Sequence, residues 1–276
     1  MVPDFYSADI QRDKQLIEAE LRRIMAEEQP FYGQSVSECM NYALFSGGKR
    51  LRPLLGLQVA KALNCDPHAC LTHLAAVEML HSASLILDDM PCMDNAAFRR
   101  SQPSAHCQFG ESIALLAAIA MITLATNLAE TESAATSAIS VRDFRRMLLN
   151  AFGRGGLIAG QEADLTHKAH PSISYAKTAP LFELSCAAGL VSADLRTAER
   201  DQIISFGRSY GRAFQAVDDF EDEGDHNAVS VSIELEQCGM ILEKLESLRP
   251  GFVRLRKFRS FLEANRLVCL AHSQEP

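Results

Sequence analysis

The sequence predicts an all-α fold, a bundle of helices in one or two domains, on three observations. Apolar residues recur at helical spacing along most of the 276 residues, no stretch alternates long enough to build a sheet, and neither an internal repeat nor a dinucleotide-type glycine pattern is present. The length leaves ample chain to bury a large core. A net charge of −8, from 27 Lys and Arg against 35 Asp and Glu, argues against nucleic acid as a partner. Eight cysteines show no zinc-finger spacing, and the start MVPDFYSADIQRDK has no signal-peptide pattern, which together fit reduced thiols in a cytoplasmic protein.

From Tyr6 to Met25, Ile10, Leu16, Ile17, Leu21 and Ile24 among charges predict an amphipathic helix that covers the body of the fold. Pro30 breaks it. Val36 to Ser46 forms a second helix that runs into Gly47 and Gly48, where the chain can turn tightly. Lys49, Arg50 and Arg52 follow at once, before an apolar helix from Pro53 to Leu63. Three cations in four residues could hold a diphosphate, although an ordinary basic helix start has the same composition. Leu71 to Leu87 leads into an acidic stretch, and Ser101 to Glu111 is expected as a loop.

Ser112 to Ala129 carries no charge over eighteen residues. That length approaches a membrane span, but the segment is rich in alanine and contains Ser112, Thr123, Thr126 and Asn127, so a helix buried in the bundle core is expected and no transmembrane segment. After the polar connector Thr131 to Ser140, residues 142 to 165 resume a helix whose glycines 153, 155, 156 and 160 permit close approach or a break. Gln161 and Asp164, three apart, either face a cation cluster or belong to a surface helix. Helices at Tyr175 to Leu190 and Leu195 to Phe220 complete the series.

The charged side chains concentrate at two helix ends. In HSASLILDDMPCMDNAAFRR, residues 81 to 100, His81, Ser84 and Asp88 share one helix face. Pro91 disfavours helical geometry at Met90, so the helix stops just after Asp88 and Asp89. Two carboxylates at the negative end of a helix dipole cost roughly 0.3 to 1 kcal/mol each, so a positive group is required there. Mg2+ is held by one or two carboxylates plus substrate phosphates, and Asp94 could close such a set, with Arg99 and Arg100 as forked phosphate donors. A solvated acidic loop has the same composition. A second cluster, FQAVDDFED at 214 to 222, places Asp218 and Asp222 on one helix face beside Asp219. Two such clusters read as opposite walls of one cation site.

On these blocks the chain resembles the trans-type isoprenyl diphosphate synthases, and most closely the bacterial geranylgeranyl diphosphate synthases, which implies a single-domain helical bundle of the isoprenoid synthase type with a central cavity. The matching stretches are FSGGKRLRPLL (45 to 55), the 78 to 111 region, GLIAGQEADL (156 to 165), AKTAPLF (176 to 182) and FQAVDDFED. The resemblance implies a prenyltransferase that condenses isopentenyl diphosphate head to tail with an allylic diphosphate, with Mg2+ as cofactor and a homodimer as the assembly. It implies metal ligation by Asp88, Asp89, Asp94, Asp218 and Asp222. It makes Lys49, Arg52, His81 and Arg100 contacts of isopentenyl diphosphate, Lys177 a ligand of the allylic diphosphate with Arg99 helping its ionisation, and Thr178 and Gln215 further substrate-binding groups; Asp88, Asp89, Arg99, Lys177 and Asp218 are its catalytic set. Ala83 and Ser84, small residues beneath the first aspartates, imply the twenty-carbon product.

The chain departs from that pattern at Ser101, where a glycine is usual, and at Ala179 and Pro180 after the Lys-Thr pair. After Asp222 no Lys or Arg occurs before Lys244, whereas the family places lysines there, so residues 223 to 276 form a divergent part of the one domain at 1 to 276. Two other readings stay open: a catalytically weak partner subunit of a heteromeric synthase, and a class I terpene cyclase, which the GGKRLRP block and the second DDxxD argue against. Arg208 and Arg212 have no assigned role at this level.

Overall fold

The computed structural model describes residues 7–27, 33–132, 137–166, 175–223 and 228–272; of 221–223, 228 and 268–272 it describes the backbone alone. The chain is helical almost throughout. In order, the helices are α1 (Ala8–Glu27), α2 (Gln34–Phe45), α3 (Leu51–Ala62), a 3-10 turn (Pro67–Cys70), α4 (Leu71–Asp88), α5 (Ala105–Phe109) and α6 (Glu111–Leu128). There follow α7 (Val141–Phe152), α8 (Leu157–Leu165), α9 (Ala179–Ala188), α10 (Thr197–Glu223), α11 (Ala228–Leu248), a second 3-10 segment (Pro250–Leu255) and α12 (Arg256–His272). Where one helix was expected over 142–165 there are two, because Gly153 to Gly156 break the run.

α4 is the axis of the bundle. It packs against α1, α2, α3, α6 and α9 and is buried on almost every face, from Leu71, Leu74 and Val77 to Leu80, Ala83 and Ile86. A helix apolar all round can only be stable in such a position. α10, about 40 Å long at 1.5 Å per residue, buries Phe206, Tyr210, Ala213, Val217 and Phe220 along one side. The aromatic ring of Tyr210 meets Phe182 of α9 and Phe258 of α12 edge-on, at centroid distances of 5.0 and 5.8 Å.

The arginines without an assigned role tie α10 to its neighbours. Arg208 makes a forked pair with Glu183 of α9 (2.7 and 2.9 Å), and Arg212 grips the buried Glu234 of α11 while stacking on Tyr175. Planar guanidinium groups suit both the fork and the stack.

Two expectations need correction. α6 is not a core helix: it buries Ala114, Ala117, Ala118, Met121, Leu124 and Ala125 but exposes Leu115, Leu116 and Ile119. Its small residues let it lie against α4, and its larger apolar residues point outward. Pro67–Asp88 and Glu111–Leu128 are both long and apolar enough to cross a membrane by length and composition, and 78% of the first is buried inside the bundle. The loop expected after Arg100 contains a strand, β2 (Gln102–Pro103), which pairs back on β1 (Phe98–Arg99) as a hairpin, and the short α5. Its two-residue turn, Arg100 and Ser101, has φ of 53° and 64°, the left-handed conformation of a tight hairpin turn that glycine adopts without strain. That is why a glycine is usual at 101.

Candidate active site

One cavity of about 890 Å³ opens among the helix ends and receives charged side chains from all five of the blocks singled out in the sequence. α4 ends at Asp88, and the turn after Pro91 folds back so that the Asp94 N–H donates to the Asp88 carbonyl (2.9 Å). Asp88 and Asp94 therefore line the same cavity. Asp89, one residue on and about 100° round the helix, is buried elsewhere: Arg99 grips its carboxylate with Nε at 3.0 Å and Nη2 at 2.5 Å. Arg99 itself lines the cavity, and the Asp89 bonds raise its pKa.

Across the cavity stand Asp218 and Asp219 of α10. Gln215, one turn earlier, donates to Asp219 (2.6 Å) and accepts from the buried Thr178 hydroxyl. The Asp222 side chain lies outside the described residues. Between the two walls is Lys177, with Nζ at 3.3 Å from Asp164 and 3.5 Å from Asp88. Gly160 allows this, because a Cβ there would stand 2.7 Å from the Lys177 backbone nitrogen. Burial raises the Asp88 pKa; Lys177 opposes the rise and Asp94 adds to it.

The other end of the cavity is cationic. Gly47 and Gly48 turn with φ of 105° and 117°, and a side chain at 48 would collide with the Arg100 guanidinium. Lys49, Arg52, His81 and Arg100 all line this end. Lys49 lies with its ammonium 4.8 Å from the Phe261 ring, and Arg52 stacks on Phe182 at the same distance. The Arg52 Nη1 is 3.2 Å from His81 Nε2. Burial and the surrounding arginines hold the His81 pKa well below 6.5, so the neutral ring accepts the Arg52 proton. Burial also lowers the Arg52 pKa to about 10, which keeps its charge at neutral pH. Of the GGKRLRP cations, Arg50 alone is buried, paired with Glu78 at 2.7 Å.

A second, almost wholly apolar cavity of about 320 Å³ lies beneath Asp88, lined by Leu87, Met93, Phe152, Leu157, Ile158 and Gln161 among others. Ser84 and Asp88 belong to both cavities. Ala83 is fully buried and lines neither. The sequence marked Ser84 but missed Phe152 and Met93, whose only signal was their apolarity.

Among the described residues no three His, Cys, Asp or Glu side chains converge closely enough to enclose a metal ion. Mg2+ does not ask for such a cage, since substrate phosphates complete its shell. Asp88 and Asp94 on one wall and Asp218 on the other are oxygen donors of the right kind for an ion shared with a diphosphate.

Residues 33–229 match the polyprenyl synthetase family. The chain belongs to the polyprenyl synthetase family. It is 37% identical over 215 residues to a geranylgeranyl diphosphate synthase of Pantoea ananas, covering 74% of this chain and 71% of that protein. It is 34% identical over 252 residues to the chloroplastic geranylgeranyl pyrophosphate synthase 7 of Arabidopsis thaliana, covering 87% and 70%. Against geranylgeranyl pyrophosphate synthase 4 of the same plant, at 36% identity, the match takes in 68% of this chain but only 53% of the relative, so the chain spans little more than half of some polyprenyl synthetases it resembles. The crystal structure of a geranyltransferase from Legionella pneumophila superposes with a TM-score of 0.78 at 27% identity, covering 92% of this chain and 95% of the other. That coverage extends the family fold past residue 223 into the part where the sequence diverges.

Proposed function

We propose that this polyprenyl synthetase condenses isopentenyl diphosphate head to tail with an allylic diphosphate to give a longer linear prenyl diphosphate. One observation carries the reading: a single cavity has an acidic end at Asp88, Asp94 and Asp218 and a cationic end at Lys49, Arg52 and Arg100, with Lys177 between the acidic walls. Two anionic substrates thus find two different kinds of site, one that binds phosphate directly and one that needs a divalent cation. Bound Mg2+ would neutralise the diphosphate leaving group at the acidic end. There Lys177 and Arg99 would donate to the same group and stabilise the charge that develops as the allylic C–O bond breaks and its electron pair leaves with diphosphate. Arg52, Lys49 and Arg100 would hold isopentenyl diphosphate so that its double bond faces the allylic carbon; a new C–C bond forms from the π electrons, and loss of a proton restores a double bond.

The apolar cavity beneath Ser84 and Asp88 is suited to the hydrocarbon tail, and the small side chain at 84, which borders both cavities, would let the tail pass from one to the other. The reading favours a product of the geranylgeranyl class, as the Pantoea relative is named. A second copy of the chain is the proposed cover for Leu115, Leu116 and Ile119, since the exposed side of α6 carries no charge after Glu111 and can pair with itself about a two-fold axis.

The absence of Lys and Arg between Asp222 and Lys244 favours a second reading, a weakly active partner of another synthase. Purified protein incubated with Mg2+, isopentenyl diphosphate and each allylic primer separates the two. Elongated linear diphosphates support the synthase; product only after a second synthase is added supports the partner, and a cyclic hydrocarbon would overturn both.

A further inference from the structure

We infer that Arg50, locked to Glu78, is a positioning residue that fixes the Gly47–Arg52 turn in the shape that binds isopentenyl diphosphate. The inference rests on the proposed function and adds to it a buried ion pair at the cavity wall whose charges are matched to each other.

Arg50 borders the cavity between Lys49 and Arg52, yet it is only 3% exposed. Its φ of 54° is left-handed, which costs a non-glycine residue roughly 1 kcal/mol or more and persists only where the surroundings enforce it. They do so from three helices. The guanidinium donates to Glu78 of α4 at 2.7 Å and to the Leu44 carbonyl at the end of α2 at 2.5 Å, and its Nε lies 3.5 Å from Glu18 of α1. One turn before Glu18, Lys14 donates to the Gly48 carbonyl at 2.8 Å. Arg100 takes the Gly47 carbonyl.

Glu78 and His81 lie three residues apart on the same side of α4, and each receives an arginine from the start of α3: Arg50 on Glu78, Arg52 on His81. The two contacts are successive rungs between α3 and α4. If the first rung is lost, the turn can relax out of its left-handed geometry, and Lys49 and Arg52 on either side lose their fixed separation. A buried ion pair contributes little net stability compared with apolar packing, but a fixed geometry is what such a pair supplies well.

The test is calorimetric titration of the full chain with isopentenyl diphosphate and, separately, with an allylic diphosphate plus Mg2+. Glu78→Gln keeps the shape of the partner and removes its charge. It should weaken isopentenyl diphosphate binding about tenfold or more, as small displacements of binding groups do, while allylic diphosphate binding stays unchanged. Equal weakening of both ligands, in step with a lower melting temperature, would make Arg50 a packing residue and overturn the inference. Should Glu78→Gln fail to fold, Lys14→Met decides, since it removes one bond to the same turn from a half-buried position. It should weaken isopentenyl diphosphate selectively, and unchanged affinity in that variant sinks the inference while the proposed function stands. No binding of isopentenyl diphosphate by the unaltered chain would sink the proposed function, and the inference with it.

Discussion

Lys177 and Asp88 meet across the cleft, Nζ to Oδ2 at 3.5 Å, so the helix end that carries the first aspartates is already neutralised in part by the block that precedes α9. Burial raises the Asp88 pKa and Lys177 counteracts it. Lys177→Met should therefore cut turnover by about a hundredfold or more, the scale for losing one preorganised charge-stabilising donor. It should also move the acid limb of the kcat/KM profile to higher pH, since Asp88 would hold its proton longer. Circular dichroism should show unchanged helix content; an unshifted acid limb would mean that Asp88 does not set it.

The contact between Arg52 and His81 makes a second prediction. With its pKa held well below 6.5, the imidazole stays neutral and accepts from the guanidinium. The KM for isopentenyl diphosphate should thus show no inflection near pH 6.5. His81→Gln keeps an acceptor for Arg52 and should retain most activity, whereas His81→Leu leaves a guanidinium N–H unmatched and should raise that KM by about tenfold, one to three kcal/mol being the usual scale for a buried unsatisfied group. A steady-state pH series on the three proteins checks both statements.

Much of this cleft was legible in the sequence, and what was not has physical reasons. The acidic helix ends could be read because like charges are costly there without a cation, and Pro91 gave the stop. Which of two adjacent aspartates faces the cleft could not, because neighbours on a helix point about 100° apart and only the packing of α4 decides the rotation; Asp88 turns inward and Asp89 turns to Arg99. Likewise Lys49, Arg50 and Arg52 look alike in sequence, and the left-handed backbone at 50 buries the middle one. α6 was read as a core helix because it lacks charge. Composition reports how much apolar surface a helix has, not how many neighbours exist to cover it.

His73 sets an acid limit on stability. It is fully buried on α4, packs edge-on against Phe144 of α7 at 4.8 Å, and burial lowers its pKa to about 4, opposed in part by the Thr131 backbone. Above pH 6.5 the ring is neutral in both folded and unfolded chains and contributes no pH dependence. As pH falls from about 6.5 towards 4, the unfolded chain takes up a proton that the folded chain refuses, so stability falls by up to about 1.4 kcal/mol per pH unit and roughly 3 kcal/mol in all. His73→Leu should flatten this part of the curve of denaturation midpoint against pH. An unchanged slope would assign the acid loss to other groups.

Ser84 is shared by the charged cleft and the apolar cavity below it, together with Asp88 and Leu157, and its hydroxyl is turned back onto the His81 carbonyl at 2.8 Å. Ser84→Phe would fill the neck between the two cavities with a ring while leaving Asp88, one turn on, in place. The chain should then stop at a shorter product, and a growing tail should be released as soon as it reaches the new wall. Phe152 also lines the apolar cavity, and Phe152→Ala should have the opposite effect, adding room and shifting the product distribution to longer chains. Dephosphorylated products sized by chromatography give the answer directly. A Ser84→Phe enzyme that is active with unchanged product length would show that the tail takes another path, whereas shorter products from Ser84→Phe and longer ones from Phe152→Ala would trace its path from the cleft between α4 and α7.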